Sequence, residues 1–118
     1  TTLFRSEASV RISDDSLPEP DIVITSFRGA GVVPVATVAL LIEVSDSTLE
    51  TDLGRKAELY AAAGVSEYWV VDLNENRVLV HANPRPDGDY DGQLDLPFGA
   101  TLHSATVADL SIETDGLE

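Results

Sequence analysis

Three side chains in this sequence have the types and placement that a hydrolytic site needs. Asp21 follows a proline and opens a short β-branched run, Glu43 interrupts the apolar run Leu40-Leu41-Ile42-Glu43-Val44, and Lys56, the only lysine, lies in the segment that follows. Hard divalent cations such as Mg²⁺ or Mn²⁺ take oxygen ligands and are commonly held by one or two carboxylates together with waters and a substrate phosphate. Asp21 and Glu43 would supply those carboxylates. A lysine beside them can stabilise the charge that builds on a phosphorus under attack, or orient the attacking water. The combination is the chemistry of phosphodiester hydrolysis.

The elements that must position these groups read as strand, helix, strand. Val38 to Ser45 is a continuous apolar run broken by Glu43, the pattern of a central strand covered on both faces. The next segment predicts a helix over 48–63, with Ser47 as N-cap, Glu50 completing a capping box and Gly64 as the stop. At roughly 100° per residue, Leu49, Asp52, Leu53, Lys56 and Tyr60 share one face, and Glu50, Thr51, Arg55, Glu58 and Ala62 share the other. Asp52 and Lys56 therefore face inward. Tyr68 to Asp72 predicts a second buried strand, and Leu73-Asn74-Glu75-Asn76 a turn into a hairpin partner at Arg77 to His81.

Outside this unit the signals are weaker. Ala8 to Ser13 alternates like a half-buried strand near the sheet edge, Asp14 to Pro20 is a loop, and Asp21 to Thr25 is a short strand. Ser26 to Thr37 reads as a flexible connection, Asn83 to Gly92 as a long loop, and the pieces near Gln93-Leu94 and Thr106 to Ile112 as edge strands. Leu117-Glu118 reads as a cloning remnant.

Each candidate residue also has a plainer reading. Asp21 can simply end a loop, and Glu43 can pair with an arginine, since an unpaired carboxylate in an apolar strand costs several kcal/mol. Asp52 and Lys56 have the i,i+4 order of a helix ion pair worth about 0.2 to 0.5 kcal/mol. Against that stands the placement of Lys56 among Leu49, Leu53 and Tyr60 rather than on the solvent side. His81 and His103 lack companions at metal-ligand spacing, and Tyr60, Tyr68 and Trp69 read as core. Asp87 to Asp91 resembles a calcium loop but lacks the downstream glutamate, and reads as a solvated turn.

Composition sets the outer limits. A chain of 118 residues is expected to form a single domain over 1–118. The absence of cysteine excludes disulfides, thiolate zinc sites and cysteine nucleophiles. No apolar run approaches the roughly 18 residues of a membrane span, so no membrane partner and a cytoplasmic location are expected. The formal charge of −14, with only seven Lys and Arg, opposes binding to nucleic acid, whose affinity comes mainly from cations neutralising phosphates.

Several separated blocks resemble, in order, the Uma2-like (DUF820) endonuclease family of the PD-(D/E)XK, restriction-endonuclease-like superfamily. They are Pro20-Asp21, Ile42 to Thr48, Asp52-Leu53-Gly54-Arg55-Lys56, and Leu59 to Asp72. The resemblance implies an α/β fold, a restriction-endonuclease-like mixed β-sheet with a flanking helix, and a divalent-metal nuclease site with Asp21 and Glu43 as ligands. The superfamily's lysine stands two residues after the glutamate; Ser45 occupies that place here, and Lys56 in the helix takes its role. Asp52 becomes an accessory group that positions Lys56 or a metal-bound water. Uma2-like proteins usually carry a further N-terminal segment with an additional glutamate, which this sequence is expected to lack.

These readings lead to a Mg²⁺-dependent (or Mn²⁺-dependent) DNA endonuclease, with a homodimer or a partner supplying the basic surface that the chain lacks. The alternative is a nuclease fold used as a catalytically inactive interaction or assembly module. A salt-adapted host would also account for the acidity.

Overall fold

The computed structural model describes residues 2–99, 101–107 and 110–113. In chain order its elements are β1 (Leu3–Ser6), β2 (Val10–Arg11), β3 (Ile22–Thr25), β4 (Val33–Pro34), β5 (Val38–Ser45), α1 (Leu49–Leu53), α2 (Arg55–Ala62), β6 (Glu67–Asp72), β7 (Arg77–Pro84), β8 (Tyr90–Pro97), β9 (Thr101–His103) and β10 (Ser111–Glu113). Six strands form one mixed sheet in the order β1-β3-β5-β6-β7-β8. Its neighbours are antiparallel except for β5 and β6, which run parallel on either side of the helical crossover. This is the mixed α/β sheet with a flanking helix that the sequence leads one to expect.

β5 explains the arrangement. Successive side chains of a strand point to opposite faces, and both faces of β5 are covered. Leu41 packs with Ala57, Tyr60, Ala61, Tyr68 and Val70 on the helical side. Leu40 and Ile42 pack with Trp69, Val78 and Leu102 on the other. Each fully buried leucine or valine stabilises by about 1.5 to 3 kcal/mol, enough for either face to offset one buried carboxylate with partners. Glu43 and Ser45 share the helical side with Leu41 through the same alternation.

The helix departs from its expected form. It is two segments separated at Gly54, where a Cβ would lie 2.9 Å from the carbonyl oxygen of Glu50. The N-cap is Thr48 rather than Ser47, and no side chain caps the first turn. The capping box expected between Ser47 and Glu50 does not form, and Thr48 Oγ1 instead donates to the buried carboxylate of Asp52 at 2.8 Å. Gly64, with φ of +82°, ends α2 as its sequence position implies.

The N-terminal reading needs correction. Of Ala8 to Ser13 only Val10–Arg11 is a strand, paired in parallel with Val33–Pro34 outside the main sheet. The edge strand is Leu3–Ser6. Glu7, with φ of +52°, turns the chain away after β1, and the amides of Val10 and Ile12 then donate to the carbonyls of Pro18 and Ser16. The Ser26 to Thr37 connection thus contains β4 and a 3₁₀ turn at Val35–Thr37.

Further on, β7 continues to Pro84 and β8 begins at Tyr90, so the expected long loop is confined to 85–89. Among the described residues of the Thr106 to Ile112 stretch, only Ser111–Ile112 is strand, as part of β10. Ala108, Asp109 and the Leu117-Glu118 pair lie outside the described residues. Among the described residues no helix is long and apolar enough to cross a membrane.

Candidate active site

Asp21 sits immediately before β3, whose register pairs Ile22 with Ile42 and so sets Asp21 beside Glu43. Two hydrogen bonds extend that ladder through side chains. The Asp21 amide donates to Glu43 Oε1 at 3.0 Å, and the Val44 amide donates to Asp21 Oδ2 at 2.6 Å. The carboxylates of the two residues are thereby fixed at one end of adjacent strands.

Lys56 reaches the same place from α2. Its Nζ lies 2.8 Å from Glu43 Oε2 and 3.1 Å from Asp52 Oδ1. Glu43 is 4% exposed and Asp52 1%, whereas the lysine side chain is 36% exposed. Asp52 is held from three sides: Thr48 Oγ1 donates to Oδ2, Tyr68 Oη donates 2.9 Å to the backbone carbonyl, and Lys56 faces Oδ1. Asp21, Glu43, Asp52 and Lys56 all come together. The arginine partner offered as the plainer reading of Glu43 is not there; its partner is Lys56.

Two carboxylates on one ammonium, with Asp21 beside Glu43, leave an excess of negative charge. Burial pushes the Glu43 carboxyl above its ordinary value, against the opposing pull of Lys56 and the Asp21 amide. For Lys56, burial acts to lower the pKa, but the hydrogen bonds and charges of Glu43 and Asp52 outweigh it, and the ammonium is held above its ordinary range. The lysine is therefore charged throughout the neutral range.

The surroundings add oxygen atoms in need of a partner. The hydroxyls of Ser45 and Tyr60 are buried without hydrogen-bond partners among the described residues. Burial, reinforced by the charges of Glu43 and Asp52, pushes the Tyr60 phenol far up, so it stays protonated as a potential donor. Read from the sequence as core, Tyr60 carries a signal that was there to find: it follows Lys56 by four residues on the inward face. No comparable signal marks Thr48, whose role depends on a carboxylate buried one turn ahead.

The donor set consists of oxygens alone and is net negative, which fits a hard divalent cation at Asp21 and Glu43. Among the described residues, no group of three or more His, Asp or Glu side chains is arranged to hold a metal ion. Such an ion would depend on the two carboxylates and waters. Beside the site, a cleft of about 350 Å³ is lined by Ser16, Pro18, Thr51, Arg55, Lys56 and Leu59.

Comparison with known proteins agrees with the fold. The family model Uma2, described as "Putative restriction endonuclease", matches residues 2–115. The crystal structure of a "putative nuclease belonging to DUF820" from Anabaena variabilis ATCC 29413 superposes with a TM-score of 0.69, covering 98% of this chain and 67% of that one. At 16% identity the likeness is one of fold. No curated protein matches the chain.

Proposed function

This chain belongs to the Uma2 family of restriction-endonuclease-like proteins, and from that premise we propose that it hydrolyses phosphodiester bonds of DNA with a divalent metal ion, Mg²⁺ or Mn²⁺. The observation that carries the reading is Lys56 Nζ, 2.8 Å from Glu43 and 3.1 Å from Asp52, on a glutamate tied to Asp21 through its own amide.

Asp21 and Glu43 hold the ion. When bound, it would withdraw charge from phosphate oxygens and acidify a water. Lys56 gives a fixed positive charge to the phosphoryl oxygens as negative charge accumulates there. Asp52 acts through Lys56 as a positioning residue, keeping the ammonium at Glu43. On this reading the chain works in the cytoplasm, where DNA is the substrate.

Plasmid nicking in Mg²⁺ by the native chain and its Lys56→Ala variant tests the assignment. Loss of nicking in the variant is expected, and equal activity in both removes Lys56 from the mechanism.

A second reading is a nuclease fold serving as a non-catalytic assembly module. It is favoured by the engagement of both Glu43 oxygens, one by the Asp21 amide and one by Lys56, and by the charge of −14. Calorimetry with Mn²⁺ separates the two, because only a working site binds the ion in a way that Asp21→Asn and Glu43→Gln abolish. Nicking measured at both low and high salt covers a salt-adapted origin of the acidity.

A further inference from the structure

Seven cationic side chains serve a chain of formal charge −14, and five of them are already engaged. Arg5 donates to the carbonyls of Phe27 and Gly29. Arg11 pairs with Asp14, Lys56 with Glu43 and Asp52, Arg77 with Asp72 and Asp95, and Arg85 with Asp87 and Asp91. That leaves Arg28 and Arg55, both exposed and neither with a hydrogen-bond or ion-pair partner among the described residues.

The two differ in where they stand. Arg28 lies in the connection after β3, in a stretch of exposed residues. Arg55 is the residue before Lys56 and lines the same cleft as it, with Ser16 and Pro18 forming the opposite wall and Thr51 one turn ahead on the helix. Arg55 also borders a second cleft with Glu58 and Asp87 but pairs with no carboxylate among the described residues, so in a chain with 21 acidic residues its guanidinium is available to an external anion. Its planar fork of donors matches two phosphate oxygens at once, and the hydroxyls of Ser16 and Thr51 offer further donors in the same cleft.

We propose that Arg55 binds a backbone phosphate of duplex DNA next to the one presented to Lys56, and that the cleft between the Ser16 to Pro18 segment and the helix is where that strand lies. The inference rests on the nuclease reading and gives it a substrate path. It also bears on the charge problem, since in an acidic chain Arg55 and Lys56 place two cations side by side along one cleft. Arg55 makes no contact with Glu43 or Asp52, so its contribution is to binding.

The test measures duplex binding by fluorescence anisotropy without divalent metal, across a salt series, for the native chain, Arg55→Ala, Arg55→Lys and Arg28→Ala. Each phosphate contact contributes about 0.9 to the slope of log affinity against log salt. Arg55→Ala should reduce that slope by about 1 and weaken binding severalfold irrespective of sequence. Arg55→Lys should retain the slope with weaker affinity, and Arg28→Ala should match the native chain. In nicking, Arg55→Ala should raise KM more than it lowers kcat, with Mn²⁺ affinity by calorimetry unchanged.

An unchanged slope in Arg55→Ala, or an equal loss in Arg28→Ala, overturns the proposal. A native chain that binds and nicks DNA alongside an indistinguishable Arg55→Ala overturns this inference alone. A native chain that binds no duplex at any salt overturns it together with the nuclease reading.

Discussion

Asp52 and Lys56 form an ion pair across a break in their own helix: the 3.1 Å contact spans Gly54, at which α1 ends and α2 begins. The Gly54 amide still donates to Glu50 at 2.9 Å, and its carbonyl accepts the Glu58 amide at 3.0 Å. Gly54 therefore keeps its helical hydrogen bonds through the break, while α2 is released from the direction of α1. That freedom lets the lysine meet Glu43 on the sheet and Asp52 on the helix together.

Gly54→Ala puts this to the test. The new methyl would meet the Glu50 carbonyl oxygen at 2.9 Å, and since that neighbour is backbone, one helical segment must move. Overpacking of this kind costs about 1 to 3 kcal/mol, read from the denaturant midpoint. Nicking should fall further than the stability loss explains, with Mn²⁺ binding kept, because the movement displaces Lys56 and leaves the strand-borne Asp21 and Glu43 in place.

Asp52→Asn keeps the shape and removes the charge that faces Lys56. Outer partners of a metal site typically contribute about 10-fold to 100-fold in activity, and a loss of that size is expected in kcat with KM nearly unchanged. The alkaline limb of the pH–rate profile should also move to lower pH, because one of the two carboxylates that hold the Lys56 ammonium above its ordinary range is gone. An unmoved limb would mean that Asp52 is only structural.

His81 provides a stability readout remote from the carboxylates. Its Nδ1 lies 3.0 Å from the Tyr68 carbonyl and its ring sits between Tyr68 and Tyr90, where burial holds its pKa below the ordinary 6.5. A histidine with a depressed folded pKa contributes stability that is present above pH 6.5 and is lost as pH falls through the folded value. The difference in unfolding free energy between the native chain and His81→Gln should therefore narrow on acidification below pH 6.5 and stay constant above it.

Glu67→Gln addresses a buried carboxylate on the opposite face of the sheet. It accepts from Trp69 Nε1 at 2.7 Å, Ser104 Oγ at 2.6 Å, the Ala105 amide at 3.3 Å and the Thr106 amide at 3.1 Å. An acceptor-only group suits this ring of donors, and a glutamine would turn its own NH₂ toward one of them. A loss of about 1 to 3 kcal/mol is expected, accompanied by a shift in Trp69 fluorescence. Nicking below the unfolding midpoint should be preserved.

How far the sequence revealed this arrangement depended on the range of the interactions. Glu43 stood out because a carboxylate in an apolar strand must find a partner, and Asp52 and Lys56 because helical spacing put both on the inward face; these signals are local. The break at Gly54 was hidden, since a helical projection assumes an unbroken helix. Val10–Arg11 was misplaced because alternation shows which residues are half-buried but not which strand they join. Glu67 drew no notice because three of its four donors come from 37 to 39 residues further along the chain.

The pairing of Lys56 with two carboxylates has a consequence for the chemical handling of the whole molecule. With one lysine in 118 residues, every reagent or enzyme that acts on side-chain amines has a single address, and it is this cluster. Acylation there would replace the only side-chain ammonium with a neutral amide and leave Glu43 and Asp52 without their counter-charge. Within these 118 residues, lysine modification is all or none.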